Sequence, residues 1–222
     1  MRGLDGPLMR KTFVFGDIHG CYRALLALLA KISPDPDRDT LVFLGDYIDR
    51  GPDSRPVIAE LLRLKGIFRH FIALRGNHEQ MFLNYLAGRG QNVFLLTGGR
   101  QTLLSYELGI ANEARRRLPL EHQQFISELR TYWEDDKYIY VHAGLQPGIA
   151  LPEQSADWLL WAREQFIESR HDFGKRVIFA HTPFPTPRIE ANKIGIDTGA
   201  VYGGHLTCLI LPEISFVSVP CD

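Results

Sequence analysis

Cysteine, surplus charge and long apolar runs are all scarce in this chain. The three cysteines, Cys21, Cys208 and Cys221, have no CxxC spacing and suggest neither a disulfide scaffold nor a thiolate zinc module. That usage fits a reducing compartment, and a cytoplasmic setting is expected. Twenty-five Lys and Arg stand against 26 Asp and Glu, a formal net charge of −1, which disfavours a partner gripped by bulk charge, whether nucleic acid or anionic membrane. Any affinity for phosphate must therefore be local. No stretch approaches the roughly 20 apolar residues of a membrane span, and MRGLDGPLMRK at the N-terminus lacks the apolar core of a leader. Beyond a strand–loop–helix rhythm, internal repeats and low-complexity segments are absent as well.

What is present is enough apolar residue, 45% of 222, for one large core. A single domain over 1–222 is expected, with residues 1–10 as a loose lead-in. Its rhythm begins at Thr12–Phe15, a buried-strand run that stops at GDIHG and is followed by helical spacing from Cys21 to Ile32. The same unit recurs as strand Leu41–Leu44, the loop GDYIDRG and a helix over Arg55–Lys65, then as strand Phe71–Leu74, the loop RGNHE and a helix over Gln80–Ala87. Asp17 and Asp46 lie 29 positions apart, and Asp46 and Asn77 lie 31 apart, the length of successive βαβ units with parallel crossovers. All three loops should then leave the same sheet edge, where α/β proteins bind ligands.

From about residue 88 to 137 the pattern changes to a helical insertion, with an amphipathic stretch Gln101–Leu108, a basic triplet Arg115–Arg117 and a helix near Leu120–Leu129. Strands resume at Tyr138–Val141, ending in HAG, and at Val177–Ala180, ending in HTP, with a helix over Asp157–Glu168 between them. The C-terminal runs Lys193–Ile196, Leu206–Leu211 and Ile214–Val219 read as short strands whose hairpins extend a second sheet.

The polar residues at these strand ends form one chemical set. Asp17, His19, Asp46, Asn77, His142 and His181 offer oxygen and imidazole nitrogen without thiolate, a donor set for borderline-hard divalent ions such as Mn²⁺, Fe²⁺ or Zn²⁺. Asp46, central in order, is the carboxylate expected to bridge two ions. His78 next to Asn77 suits a general acid, with Asp49 on its other nitrogen. Arg50, Arg75 and Arg163 can fork onto phosphate oxygens. For Arg163 the plainer alternative is a solvated helix face, and the same holds for the basic triplet. Cys21 reads as a small helix-start residue.

In order and spacing, GDIHG at 16–20, GDYIDRG at 45–51, LRGNHE at 74–79, HAG at 142–144 and HTP at 181–183 resemble the PPP family of calcineurin-like metallophosphatases. The chain is most similar to the short bacterial and phage serine/threonine protein phosphatases, sharing GG-x-x-TL-x-SY at 98–106, W-x-R at 161–163 and DTGAVYGG-x-LT at 197–207. The resemblance implies an α/β fold, a β-sandwich of two mixed sheets flanked by helices with the insertion near the active site. It implies two divalent metal ions, manganese ahead of iron or zinc. Asp17, His19 and Asp46 would hold one, and Asp46, Asn77, His142 and His181 the other. His78 with Asp49 would be the acid pair and Arg50, Arg75 and Arg163 the phosphate binders. The activity implied is hydrolysis of phosphorylated proteins or peptides by in-line attack of a metal-bridging hydroxide. Ala180 stands where many members carry Gly, and HAG replaces HGG. The chain also lacks the longer C-terminal segment of eukaryotic members, so no eukaryotic-type regulatory subunit is expected. Two rival readings are a symmetrical diadenosine tetraphosphate hydrolase, whose group typically has GNHD where Glu79 stands here, and a non-catalytic metal-dependent binding module.

Overall fold

The computed structural model describes residues 10–109 and 117–221. Residues 1–9 of the expected lead-in, and Arg115 and Arg116 of the basic triplet, lie outside them. In the first half, β1 (Thr12–Phe15), α1 (Tyr22–Ile32), β2 (Thr40–Phe43), α2 (Ser54–Ile67), β3 (His70–Ala73) and α3 (Asn77–Leu86) alternate as read, with β1, β2 and β3 parallel. The insertion holds α4 (Gln91–Phe94), a π-type turn at Leu95–Gly99, α5 (Arg100–Ser105) and α6 (Leu120–Glu128), then the strand β4 (Tyr132–Glu134). It is followed by β5 (Tyr138–Val141), the short helices α7 (Ala156–Trp161) and α8 (Glu164–Ile167), and β6 (Arg176–Phe179). The strands β7 (Arg188–Ile189), β8 (Lys193–Gly195), β9 (His205–Leu211) and β10 (Ser215–Pro220) complete two five-stranded mixed sheets, β10-β9-β1-β2-β3 and β4-β5-β6-β8-β7.

Alternation along the strands explains the layering. Phe13 and Phe15 of β1, and Leu41 and Phe43 of β2, point into one core with Leu25, Leu28, Val57, Ile58 and Leu61 of α1 and α2. Phe15 and Phe43 stack there at 4.3 Å between ring centres. The residues between them, Val14 and Val42, face the other way and meet Tyr140 of β5, Ile178 of β6 and Ile194 of β8. On the far side, Ile139, Val141, Val177 and Phe179 are covered by Leu159, Leu160 and Phe166 of α7 and α8. Each sheet thus has a helix-covered face with bulky side chains and a face turned to its partner sheet. Strands buried on both faces read as unbroken apolar runs, as TFVF, TLVF and RVIF do.

Four expectations change. The hairpin β9–β10 extends the first sheet, antiparallel to β1, because Leu209 and Leu211 fit the core between the sheets. The helix read over 157–168 is two helices, broken where Ala162 turns to ψ 140 and Arg163 to φ −131. The insertion ends in a strand, β4, paired with β5. Finally, Cys21 and Cys221, 200 residues apart, form a disulfide with a Cα separation of 5.9 Å. Spacing rules cannot anticipate this pair, because it depends on β10 being brought back alongside α1, where Val219 shares a core with Leu25 and Leu28. Cys208 is free and buried.

Candidate metal centre and acid pair

The strand ends converge, and the backbone there is unusual. His19, Asp46, Asp49, Arg50 and His181 all have positive φ, between 46° and 70°, a conformation disfavoured for non-glycine residues and concentrated at functional sites. Neighbouring groups hold them there. The Glu79 carboxylate, fully buried in the first turn of α3, accepts the backbone N–H groups of Asp46 (2.9 Å), Tyr47 (2.8 Å) and Gly76 (2.9 Å), joining the second loop to the third. Burial, then the charge of Asp46, raises Glu79 above the ordinary carboxylate value, while these three donors pull the other way and favour the ionised form. Gly76 is obligatory in this contact, since a Cβ there would lie 2.1 Å from Asp46 Oδ1.

Two groups of donor atoms share Asp46. His19 Nε2 lies 3.4 Å from Asp46 Oδ2 and 4.0 Å from Asp17 Oδ2. His142 Nε2 lies 3.0 Å from Asn77 Oδ1, 3.2 Å from His181 Nδ1 and 3.5 Å from Asp46 Oδ1. His19 and His142 each give their Nδ1–H to a backbone carbonyl, of Ile48 at 2.8 Å and of Leu44 at 3.0 Å. Both Nε2 atoms are thereby left as acceptors aimed at the shared carboxylate, the tautomer a metal ligand needs. In His142 and Asn77, two acceptor lone pairs face each other at 3.0 Å, and His181 Nε2 is buried without a partner. A cation between these acceptors resolves their repulsion, so the residues fit divalent metal. Their protonation fits too: burial lowers His142 to about 3 and His181 to about 2, so both imidazoles are neutral, each with a single ring N–H, at neutral pH. Asp17 and Asp46 are raised, first by burial.

The acid pair stands beside these donors. His78 Nδ1 donates to Asp49 Oδ2 at 2.7 Å, and its Nε2 lies 3.9 Å from Asp46 Oδ2. Burial brings His78 down to about 4 and raises Asp49.

The arginines differ. Arg50 brings Nη1 to 2.5 Å from His19 Nε2 and lays its guanidinium over the Tyr202 ring at 5.2 Å, so an ion on His19 and the Arg50 head group compete for one nitrogen. Arg163, exposed at the α7–α8 break, is near enough for its charge to act on Asp46, His142 and His181. Arg75 is turned aside, with Nη1 donating to Gln80 Oε1 and Nη2 to the Ser127 carbonyl.

Two further side chains, outside the predicted site residues, support the site. Asp197 is buried behind Asp17, raised to about 6 by burial, and accepts the N–H of Gly199 at 2.9 Å. Thr102 touches Asp49. Both lie in stretches that the motif comparison marked, DTGAVYGG and GG-x-x-TL-x-SY.

Two mixed sheets whose strand ends share one carboxylate between two donor groups are the frame of a metallophosphoesterase. The calcineurin-like phosphoesterase family matches residues 10–207, and the chain belongs to it. It is 37% identical to serine/threonine-protein phosphatase 1 of Salmonella typhimurium, over 92% of this chain and 93% of that protein. It is 29% identical to the asymmetrical bis(5'-nucleosyl)-tetraphosphatase PrpE of Halalkalibacterium halodurans, over 93% and 92%. This dinucleotide-cleaving relative is of the asymmetrical kind, whereas the rival reading of the sequence is a symmetrical hydrolase. Among solved structures, a cold-active protein-tyrosine phosphatase of a psychrophilic Shewanella shares the fold, with a TM-score of 0.67 at 18% identity over 95% of this chain and 80% of that one.

Proposed function

We propose that the protein is a serine/threonine protein phosphatase acting on phosphoserine and phosphothreonine with two divalent metal ions. One observation carries the reading: the His78–Asp49 pair at 2.7 Å stands beside donor groups sharing Asp46, so a proton source and a phosphate-polarising site face the same space. A binding module has no physical use for that pair. Asp17, His19 and Asp46 are assigned to one ion, and Asp46, Asn77, His142 and His181 to the other. The donor set, without thiolate, suits Mn²⁺, Fe²⁺ or Zn²⁺, and the family resemblance puts manganese first.

The ions supply Lewis-acid polarisation of phosphoryl oxygens and of water. Arg50 and Arg163 neutralise the phosphate. Arg75 joins them by exchanging Gln80 Oε1 and the Ser127 carbonyl for a phosphoryl oxygen. As the P–O bond breaks, His78 gives its Nε2 proton to the leaving oxygen while Asp49 keeps hold of Nδ1–H. A bound phosphate dianion moves His78 upward from about 4, the direction an acid requires.

The dinucleotide hydrolases among the relatives make the second reading. Phosphate release from a phosphopeptide panel and from diadenosine tetraphosphate, each with Mn²⁺, separates the two. Turnover of the peptides supports the proposal, cleavage of the dinucleotide alone overturns it, and silence from both with metal bound marks a binding module. A cytoplasmic setting belongs to this proposal and would keep Cys21 and Cys221 as thiols. Thiol titration of freshly isolated protein tests it.

A further inference from the structure

The insertion does more than flank the site. Its residues Gly98 and Thr102 grip the loop that carries Asp49 and Arg50, and Ser105 grips the first turn of α2 behind it. The Arg50 N–H donates to the Gly98 carbonyl at 3.1 Å, and the Arg55 N–H donates to Ser105 Oγ at 3.0 Å. Between them sits Thr102, fully buried, and its hydroxyl is used in both senses. It donates to Asp49 Oδ1 at 2.5 Å and accepts the Asp49 N–H at 2.9 Å. Ser54 Oγ, also fully buried, closes the group at 3.0 Å from Thr102 Oγ1 and 3.1 Å from the Asp49 nitrogen.

We infer that Thr102 is a positioning residue for proton delivery: its hydroxyl fixes the Asp49 carboxylate in the one orientation that presents Oδ2 to His78 Nδ1. Asp49 has two oxygens and two donors, Oδ1 serving Thr102 and Oδ2 serving His78. Its backbone, at φ 70, is in a region a non-glycine residue leaves unless held. The threonine hydroxyl ties that backbone and the carboxylate together from outside the loop. Without it, Oδ1 is a buried carboxylate oxygen short of a donor, and the carboxylate turns toward Ser54 to replace the bond. His78 then loses the contact that orients its ring. Thr102 touches neither metal ligand nor substrate, so the loss falls on the step that needs the acid.

This inference rests on the phosphatase reading, and its test separates the two. Thr102→Val keeps the shape and removes the hydroxyl. On a phosphoserine peptide, whose leaving alkoxide needs a proton, kcat is expected to fall by about 30- to 100-fold with KM little changed, within the range of a general acid. On 2,4-dinitrophenyl phosphate, whose leaving phenolate needs none, the fall is expected to be under about threefold. Thr102→Ser returns the hydroxyl and should bring the ratio of the two rates back to within about threefold of the parent's. If Thr102→Val does not fold, Thr102→Ala takes its place with the same expectations. Nitrogen-15 histidine spectra of the metal-free protein need no substrate: the Nδ1–H signal of His78, assigned by its absence in His78→Asn, should persist in Thr102→Ser and vanish in Thr102→Val. A parent enzyme inactive on the peptide with this spectral pattern intact overturns the phosphatase reading and leaves the positioning role standing. Equal losses on both phosphates, no loss on either, or an unchanged His78 signal in Thr102→Val overturns the positioning role.

Discussion

The two sheets furnish the site in different ways. Loops from the first sheet bring Asp17, His19, Asp46, Asp49 and His78, and much of that half is tied down: by Glu79, by Thr102 and by the Cys21–Cys221 bond directly after GDIHG. The second sheet brings His142 and His181, with Arg163 and Asp197 beside them. His142 leans across to the Leu44 carbonyl of the first half, and His181 has a buried nitrogen without a partner. Both halves offer metal donors, but the first is also braced by protein contacts around its loops, whereas the second has fewer of them. The difference implies that mutations in the two halves will separate folding from metal binding.

The largest effect is expected from the acid. His78→Asn should lower kcat on a phosphoserine peptide by about 10²- to 10⁴-fold and leave metal content unchanged. Loss of metal with turnover would move His78 from the acid to the ligand set.

In protein whose Cys21–Cys221 bond has formed, reducing it acts on the first half alone. Closing a loop of 200 residues stabilises by about 2 to 5 kcal/mol, so reduction should lower the melting temperature of the metal-free protein by about 5 to 15 °C. An unchanged melt in reductant would show that the first half is held without it.

Glu79→Gln and His181→Asn set the halves against each other. The amide turns one of its two ends toward backbone N–H groups as a donor, leaving a buried clash that costs about 1 to 3 kcal/mol of metal-free stability. His181→Asn should leave that stability within about 0.5 kcal/mol while weakening metal binding at least tenfold. Equal destabilisation by both would erase the distinction.

The smallest effect is a pH slope. Asp17 and Asp46 are raised by burial, whereas His142 and His181 are already neutral. The metal-free site therefore holds more protons than the loaded one, and these must leave on binding, so Mn²⁺ affinity should rise with pH above the ordinary carboxylate range. Calorimetry in two buffers of different ionisation enthalpy reads the protons released. No release, or a flat affinity, would contradict the burial argument.

Much of the candidate site was legible in the sequence because its chemistry sits at strand ends, where an apolar run stops at a short polar motif. TFVF before GDIHG and LVFL before GDYIDRG mark both the strand and the residues beyond it. Layering was less legible, since a strand buried on both faces carries no sign of which face meets the partner sheet. That is why the β9–β10 hairpin was expected on the second sheet and lies on the first. The break before Arg163 has no glycine or proline to announce it, only Trp161-Ala162. Contacts between distant residues were hidden altogether: Cys21 with Cys221, and Asp49 with Thr102, 53 positions away.

The central claim is that Asp46 serves both donor groups, with Oδ2 toward His19 and Oδ1 toward His142. Metal analysis of Asp46→Asn, purified beside the parent and His78→Asn after equal exposure to Mn²⁺, tests it most directly. The shared carboxylate predicts that both ions fall together in Asp46→Asn and neither falls in His78→Asn. One ion retained at full occupancy in Asp46→Asn would contradict it.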